Sequence, residues 1–281
     1  VNRSILTAAA AAALVWSTAG TVRLAAQSGT QSGTQSGTTK AAASSAIPRA
    51  ADGHPDLSGV WWKGADVGGK TASGGSITAP AGGRGATPPP TFTSLYTPAA
   101  AARAKTLSDK DDPALGCTNT AFGTLNVSLF DVGAVGQIVQ TPKFVIMLTE
   151  TYNSFQIIPI DGRPRREAVP PSNRGDAIGH WEGDTLVVDK TNFTDTSWIY
   201  AEGRVSFHSD AMHVVERYRR VDANTLEIEA TVEDPKVLTK PWVVPKQTLV
   251  LAPFDQILEL ACSNETQSLV EGAAKQASGK N

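Results

Sequence analysis

The residues best suited to chemistry lie close together in one stretch: His208, Asp210, His213 and Glu216. A histidine titrates near neutral pH, and a carboxylate can orient its ring, so His208 with Asp210 resembles half of an acid–base centre. A glutamate held in apolar surroundings has its pKa raised, which would suit Glu216 to donate or accept a proton, or to grip a polar ligand group. His208, His213 and Glu216 also have the residue types of a zinc site. Spacing argues against that use. Alternate residues of a strand point to opposite faces, so His208, Asp210 and Glu216 share one face and His213 takes the other. A three-ligand site would need a bulge near Asp210. The sequence therefore points to no metal and no cofactor.

The register of one hairpin decides where Glu216 points. With Asp222-Ala223-Asn224 as the loop and Val221 facing Thr225, Arg219 falls opposite Glu227 and Arg217 opposite Glu229. Each exposed cross-strand pair contributes a few tenths of a kcal/mol, and a slip of one residue would remove both. The other face carries Met212, Val214, Glu216 and Tyr218 against Ile228, Ala230 and Val232. That face is apolar and must be interior. Glu216 thus points inward, opposite the small Ala230. His213 points outward, opposite Glu233. An inward carboxylate is costly unless paired or protonated. The bland reading of Glu216 is an ion pair with Arg163 or Arg204.

His180 and Asp189 form a second pair. With Gly183-Asp184 as a two-residue type II′ turn, Asp189 faces Ile178 and His180 is its neighbour on the same face. A structural histidine is the ordinary reading of that pair. The candidate ligand-binding wall is Trp61, Tyr218, Glu216, His180 and Asp189. The candidate catalytic set, if the protein is an enzyme, is Glu216, His208 and Asp210.

The elements that must position these residues are mostly strands. Period-two patterns run over 57–63, 136–141, 143–150, 153–160, 177–182, 185–190, 205–220, 225–233, 247–251 and 257–262. One helical patch, 97–107, opens with Pro98 at a first-turn position. Ten strands with short turns predict an antiparallel meander, closed or nearly closed into a lipocalin-like β-barrel of about 8–10 strands.

The chain has 281 residues and a net charge of -2, which argues against nucleic acid as a partner. Residues 1–26 have the layout of a signal peptide: Arg3, a short apolar run from Ile5 to Trp16, then small residues. The apolar run is too short to span a bilayer, so no membrane span is expected after cleavage, and the product is expected to be periplasmic or secreted. Residues 27–54 read as a flexible linker that includes Gln-Ser-Gly-Thr three times over; 55–267 is the barrel domain, interrupted by an irregular excursion over 64–90; 268–281 is a tail. In an oxidising compartment Cys117 and Cys262 are expected to pair. Closing so long a loop is worth up to about 5 kcal/mol. The other reading is two separate buried thiols.

Pro55–Trp61 (PDLSGVW), Trp181–Phe193 (WEGDTLVVDKTNF) and His208–Arg220 (HSDAMHVVERYRR) resemble a family of secreted soil-bacterial proteins that carries no assigned activity. Its members usually have His-Pro after the Asp-Gly-Arg turn, where this chain has Arg163-Pro164-Arg165-Arg166. Gly59-Val60-Trp61 also resembles the opening of lipocalin-type barrels. That likeness implies a tryptophan plugging one end of the barrel under an arginine from a late strand.

No nucleophile elbow, phosphate-binding glycine loop or Cys-x-x-Cys is present. Three functional readings follow. The first is an exported barrel that binds a small, partly apolar molecule in its interior. The second is an acid–base enzyme (lyase, isomerase or metal-free hydrolase) using Glu216 and His208. The third is an envelope protein whose barrel is solid with side chains. Oligomeric state is not encoded in any feature of the sequence.

Overall fold

A computed structural model describes residues 46–64, 89–121, 135–150, 154–199 and 205–259. The proposed signal segment, the Gln-Ser-Gly-Thr repeats, most of the 64–90 excursion, Arg204, Cys262 and the tail lie outside the described residues. The protein is mainly β. Its strands are β1 (Gly59–Trp62), β2 (Gly136–Gln140), β3 (Phe144–Thr149), β4 (Phe155–Pro159), β5 (Asp176–Glu182), β6 (Thr185–Thr191), β7 (His213–Asp222), β8 (Thr225–Glu233) and β9 (Trp242–Leu251). Among the described residues, one α-helix, α1 (Pro98–Ala104), and three short 3-10 turns precede β2. Thr97 caps α1, its hydroxyl accepting from the Ala100 N–H at 3.2 Å, with Pro98 at the first helical position as expected.

The nine strands form one antiparallel sheet in the order β4-β3-β2-β1-β9-β8-β7-β6-β5. Chain neighbours pair except β4 with β5, and β1 pairs with β9 to join the two halves. The sheet curls until its outer strands, β4 and β5, lie side by side, giving a nearly closed barrel. An odd number of strands cannot alternate direction all the way round a ring. Following the antiparallel pairs from β1 in both directions leaves β4 and β5 running the same way, and these are the two strands with no ladder between them. A parallel neighbour cannot be reached by a tight hairpin, so the chain between them, 160–175, is a long connection rather than a turn.

The seam is closed by side chains instead. Gln156 reaches across it, donating from Nε2 to the carbonyls of Arg174 (3.1 Å) and Gly175 (3.4 Å). Gly179 lets the two strands approach. A Cβ there would come within 3.0 Å of Ile160 and 3.1 Å of Ile158.

The barrel interior holds two apolar clusters. One contains Trp61, Ile138, Met147, Ile158, Leu186, Tyr218 and Leu249. The other lies under α1 and contains Phe92, Tyr96, Phe193, Phe207, Met212, Val214 and Trp242. At the first end Trp61 is fully buried, its indole N–H donating to Leu57 O at 2.9 Å, and the Arg220 guanidinium of β7 stands 5.1 Å from the Trp61 ring. Arg220 donates to the carbonyls of Asp56 and Ala223, which fix it over the indole.

Three sequence expectations change. The stretch 257–259, expected to begin a strand, is not one, and the described residues form nine strands, within the expected 8–10. Residues 205–212 are not part of β7: the Ser209 backbone N–H and hydroxyl both bond Asp234, which turns the chain before His213. Residues 46–54, read as linker, form a tight turn instead. Arg49 there makes a bidentate pair with Asp184 (2.9 and 2.8 Å), and His54 stacks on Trp181 at 4.6 Å.

Candidate functional site

The β7–β8 register places Arg217 opposite Glu229, Arg219 opposite Glu227 and Glu216 opposite Ala230, as the sequence predicts. The loop differs in detail. Asp222, not Val221, pairs with Thr225, and the extra residue is taken up as a bulge. The charged side chains also choose other partners: Arg217 bonds Glu182 at 2.6 Å and Glu227 takes Lys246 at 3.0 Å. Glu216 is inward and 1% exposed.

Glu216 belongs to a buried polar layer between the two apolar clusters. Lys190 of β6 donates to its Oε1 at 3.3 Å, and the Tyr218 hydroxyl donates to its Oε2 at 2.8 Å. Burial pushes the Lys190 ammonium below its ordinary pKa, while the Glu216 carboxylate pulls it back up. Arg174, also buried, lies within electrostatic range of Glu216 and Tyr218, and its guanidinium donates to Ser154 Oγ at 3.3 Å. Ser154 in turn bonds Thr149 at 2.5 Å. Lys190 therefore pairs with Glu216, while Arg204, one of the expected partners, lies outside the described residues. Arg163 is at the surface, where it pairs with Asp161. Lys190 has the parity of Leu186 and Val188, both fully buried, and lies diagonal to Glu216 across the β6–β7 ladder. That parity was the available signal for it.

His208 is buried in the other cluster. Its Nε2 meets Ser197 Oγ at 3.1 Å and its Nδ1 meets the Ser209 carbonyl at 3.0 Å. Burial lowers its pKa, opposed by the Ser209 carbonyl and by Asp234. Asp210 does not orient it. The chain turns at Ser209, so Asp210 points outward and pairs with Lys236 at 2.5 Å. His213 bonds Asp189 at 3.0 Å on the outer face. His180 is exposed and meets Glu182 at 3.2 Å, so the expected His180–Asp189 pair does not form. Asp189 is taken by His213 and Arg165. The three residues with zinc-ligand types thus lie in three separate places, and among the described residues no three His, Cys, Asp or Glu side chains converge.

The expected binding wall is packed. Trp61 and Tyr218 are each at most 1% exposed within the apolar cluster. A groove of about 420 Å³ opens elsewhere, along the β4–β5 seam. Phe144, Phe155, Ile157 and Ile178 form its apolar sides. Gln156 and Arg174 lie where it meets the barrel interior, and Arg163 and Arg166 stand at its rim. Phe155 and Ile157 are 60% and 51% exposed, which is unusual for large apolar side chains on a strand. None of the residues singled out from the sequence as ligand-binding or catalytic lines this groove.

No family model, curated protein or solved structure matches the chain. The site must therefore be read from its own geometry.

Proposed function

We propose that this is an exported β-barrel protein that binds a small, partly apolar molecule at the β4–β5 seam. The observation that carries the reading is the groove itself. It lies at the one place where the barrel wall has no backbone ladder, it has exposed apolar sides, and it runs onto the buried polar residues Gln156 and Arg174. Its volume falls within the range of small-molecule sites, roughly 300–1,000 Å³. Export is supported by the Arg3-led apolar segment, and pairing of Cys117 with Cys262 by the lack of a free thiol among the described cysteines. The lipocalin likeness is supported by Arg220 over Trp61.

The acid–base reading has less support. Glu216 is held by Lys190 and Tyr218, His208 is held by Ser197, and neither lines the groove.

The test is a thermal-shift panel of small aromatic and aliphatic compounds. It uses protein recovered from the periplasm, whose intact mass and thiol count report cleavage and cysteine pairing. A binder raises the Tm of the wild type, and Phe155→Ser with Ile157→Ser abolishes the shift. A shift that survives in the double variant places the ligand elsewhere and overturns the reading.

A further inference from the structure

The charges around the seam groove are unequal. Arg163, Arg166 and Arg174 line it against one carboxylate, Asp176. That carboxylate is already engaged, by Arg166 at 3.1 Å and Arg165 at 3.8 Å. Asp161 is engaged as well. It takes Nε and one terminal nitrogen of Arg163 at 2.7 and 2.5 Å, and this guanidinium holds its pKa down to about 2. The same guanidinium lies 4.7 Å from the Phe144 ring centre, so Arg163 is oriented from two sides before any ligand arrives. Arg174 is fixed by Ser154.

Guanidinium groups stay charged even when partly buried, and their planar forks suit carboxylates and sulfonates. The apolar surface beside them, Phe155, Ile157 and Ile178, suits a flat or branched hydrocarbon body. Guanidiniums outnumber carboxylates here three to two when Asp161 is counted, and each has five N–H donors, more than one carboxylate takes up. From this, beside an exposed apolar wall, we infer that the groove takes an organic anion: an aryl or branched-alkyl carboxylate or sulfonate. Its acidic group lies toward Arg163, Arg166 and Arg174, and its body lies along Phe155 and Ile157. A cation would meet more guanidinium than carboxylate. A neutral molecule of the same shape would use the wall alone.

The inference rests on the groove being the binding site, and the experiment separates the two. The probes are 8-anilinonaphthalene-1-sulfonate and N-phenyl-1-naphthylamine, which share an aromatic body and differ by the sulfonate. Fluorescence titration is expected to show the sulfonate binding at least tenfold more tightly than the neutral amine. Its affinity is expected to fall several-fold on raising salt to about 0.5 M, where the Debye length shrinks to a few Å. Arg163→Gln with Arg166→Gln, both at the rim, brings the two probes to within about twofold. Equal binding of both probes, lost in the Phe155→Ser/Ile157→Ser variant, overturns the anion preference and leaves the groove standing. Binding of neither probe, or binding unmoved by that variant, overturns both.

Discussion

Between β7 and β8 the backbone ladder runs from His213–Glu233 to Asp222–Thr225, while between β4 and β5 the Gln156 side chain bridges strands that share no ladder. Both pairs are neighbours in one wall, and both border buried charge. On the ladder side the sheet fixes Lys190 and Glu216 at known heights, so the charges meet and Tyr218 completes the site. On the seam side no ladder sets the spacing, and the wall opens into a groove lined by arginines. The difference teaches that backbone pairing makes a buried charge structural. Where pairing stops, guanidiniums that already hold carboxylates line an opening that a ligand can enter.

The strongest way to break the contrast is on the ladder side. Glu216→Gln leaves Lys190 without its counter-charge in a fully buried place and is expected to cost about 3–5 kcal/mol. Lys190→Met combined with Glu216→Leu should recover part of that loss, because neither of these two charges remains while the buried Arg174 loses the support of Glu216. Urea denaturation of the two variants checks the claim. A Glu216→Gln protein as stable as wild type would show that the pair is not what holds the layer. On the seam side Gln156→Leu removes hydrogen bonds to two carbonyls and is expected to cost about 1–2 kcal/mol. Hydrogen exchange should rise first around 174–176, with the β7–β8 amides unchanged.

The smallest effect sharpens the contrast through pH. Burial holds the His208 pKa below its ordinary value, so the unfolded chain binds the extra proton first on acidification. Its contribution is present above about pH 6.5 and is lost as pH falls below that value. Asp112 works the other way. Burial raises it to about 6, so its protonated carboxyl favours folding in acid, and that contribution is lost as pH rises from about 4 through 6. In an Asp112→Asn background stability should therefore fall between pH 7 and 5, and His208→Asn should flatten the profile. At the seam Asp161, held to about 2 by Arg163, stays ionised throughout. Chemical denaturation at stepped pH reads the slope.

The barrel and the inward Glu216 were legible because alternation and opposite charges fix a strand's face together. Arg217 and Arg219 opposite Glu229 and Glu227 leave Glu216 only one direction. Lys190 was harder to read. Val187 is 4% exposed and Val188 is fully buried, so β6 is covered on both sides and its pattern does not alternate. Asp210 was misplaced because a strand was extended through Ser209, where two bonds to the distant Asp234 override the local pattern. The groove could not be read at all. It is made by a missing ladder between β4 and β5, and nothing within either strand reports which neighbour it lacks.

The join between β1 and β9 sets the order of assembly. Trp61 meets Leu251 across nearly the whole folded chain, so the two halves of the wall cannot be zipped together until the last strand exists. Contacts so distant in sequence carry the largest loop-closure cost and form late. A ribosome or a translocation channel would thus release two open half-sheets before it releases a barrel.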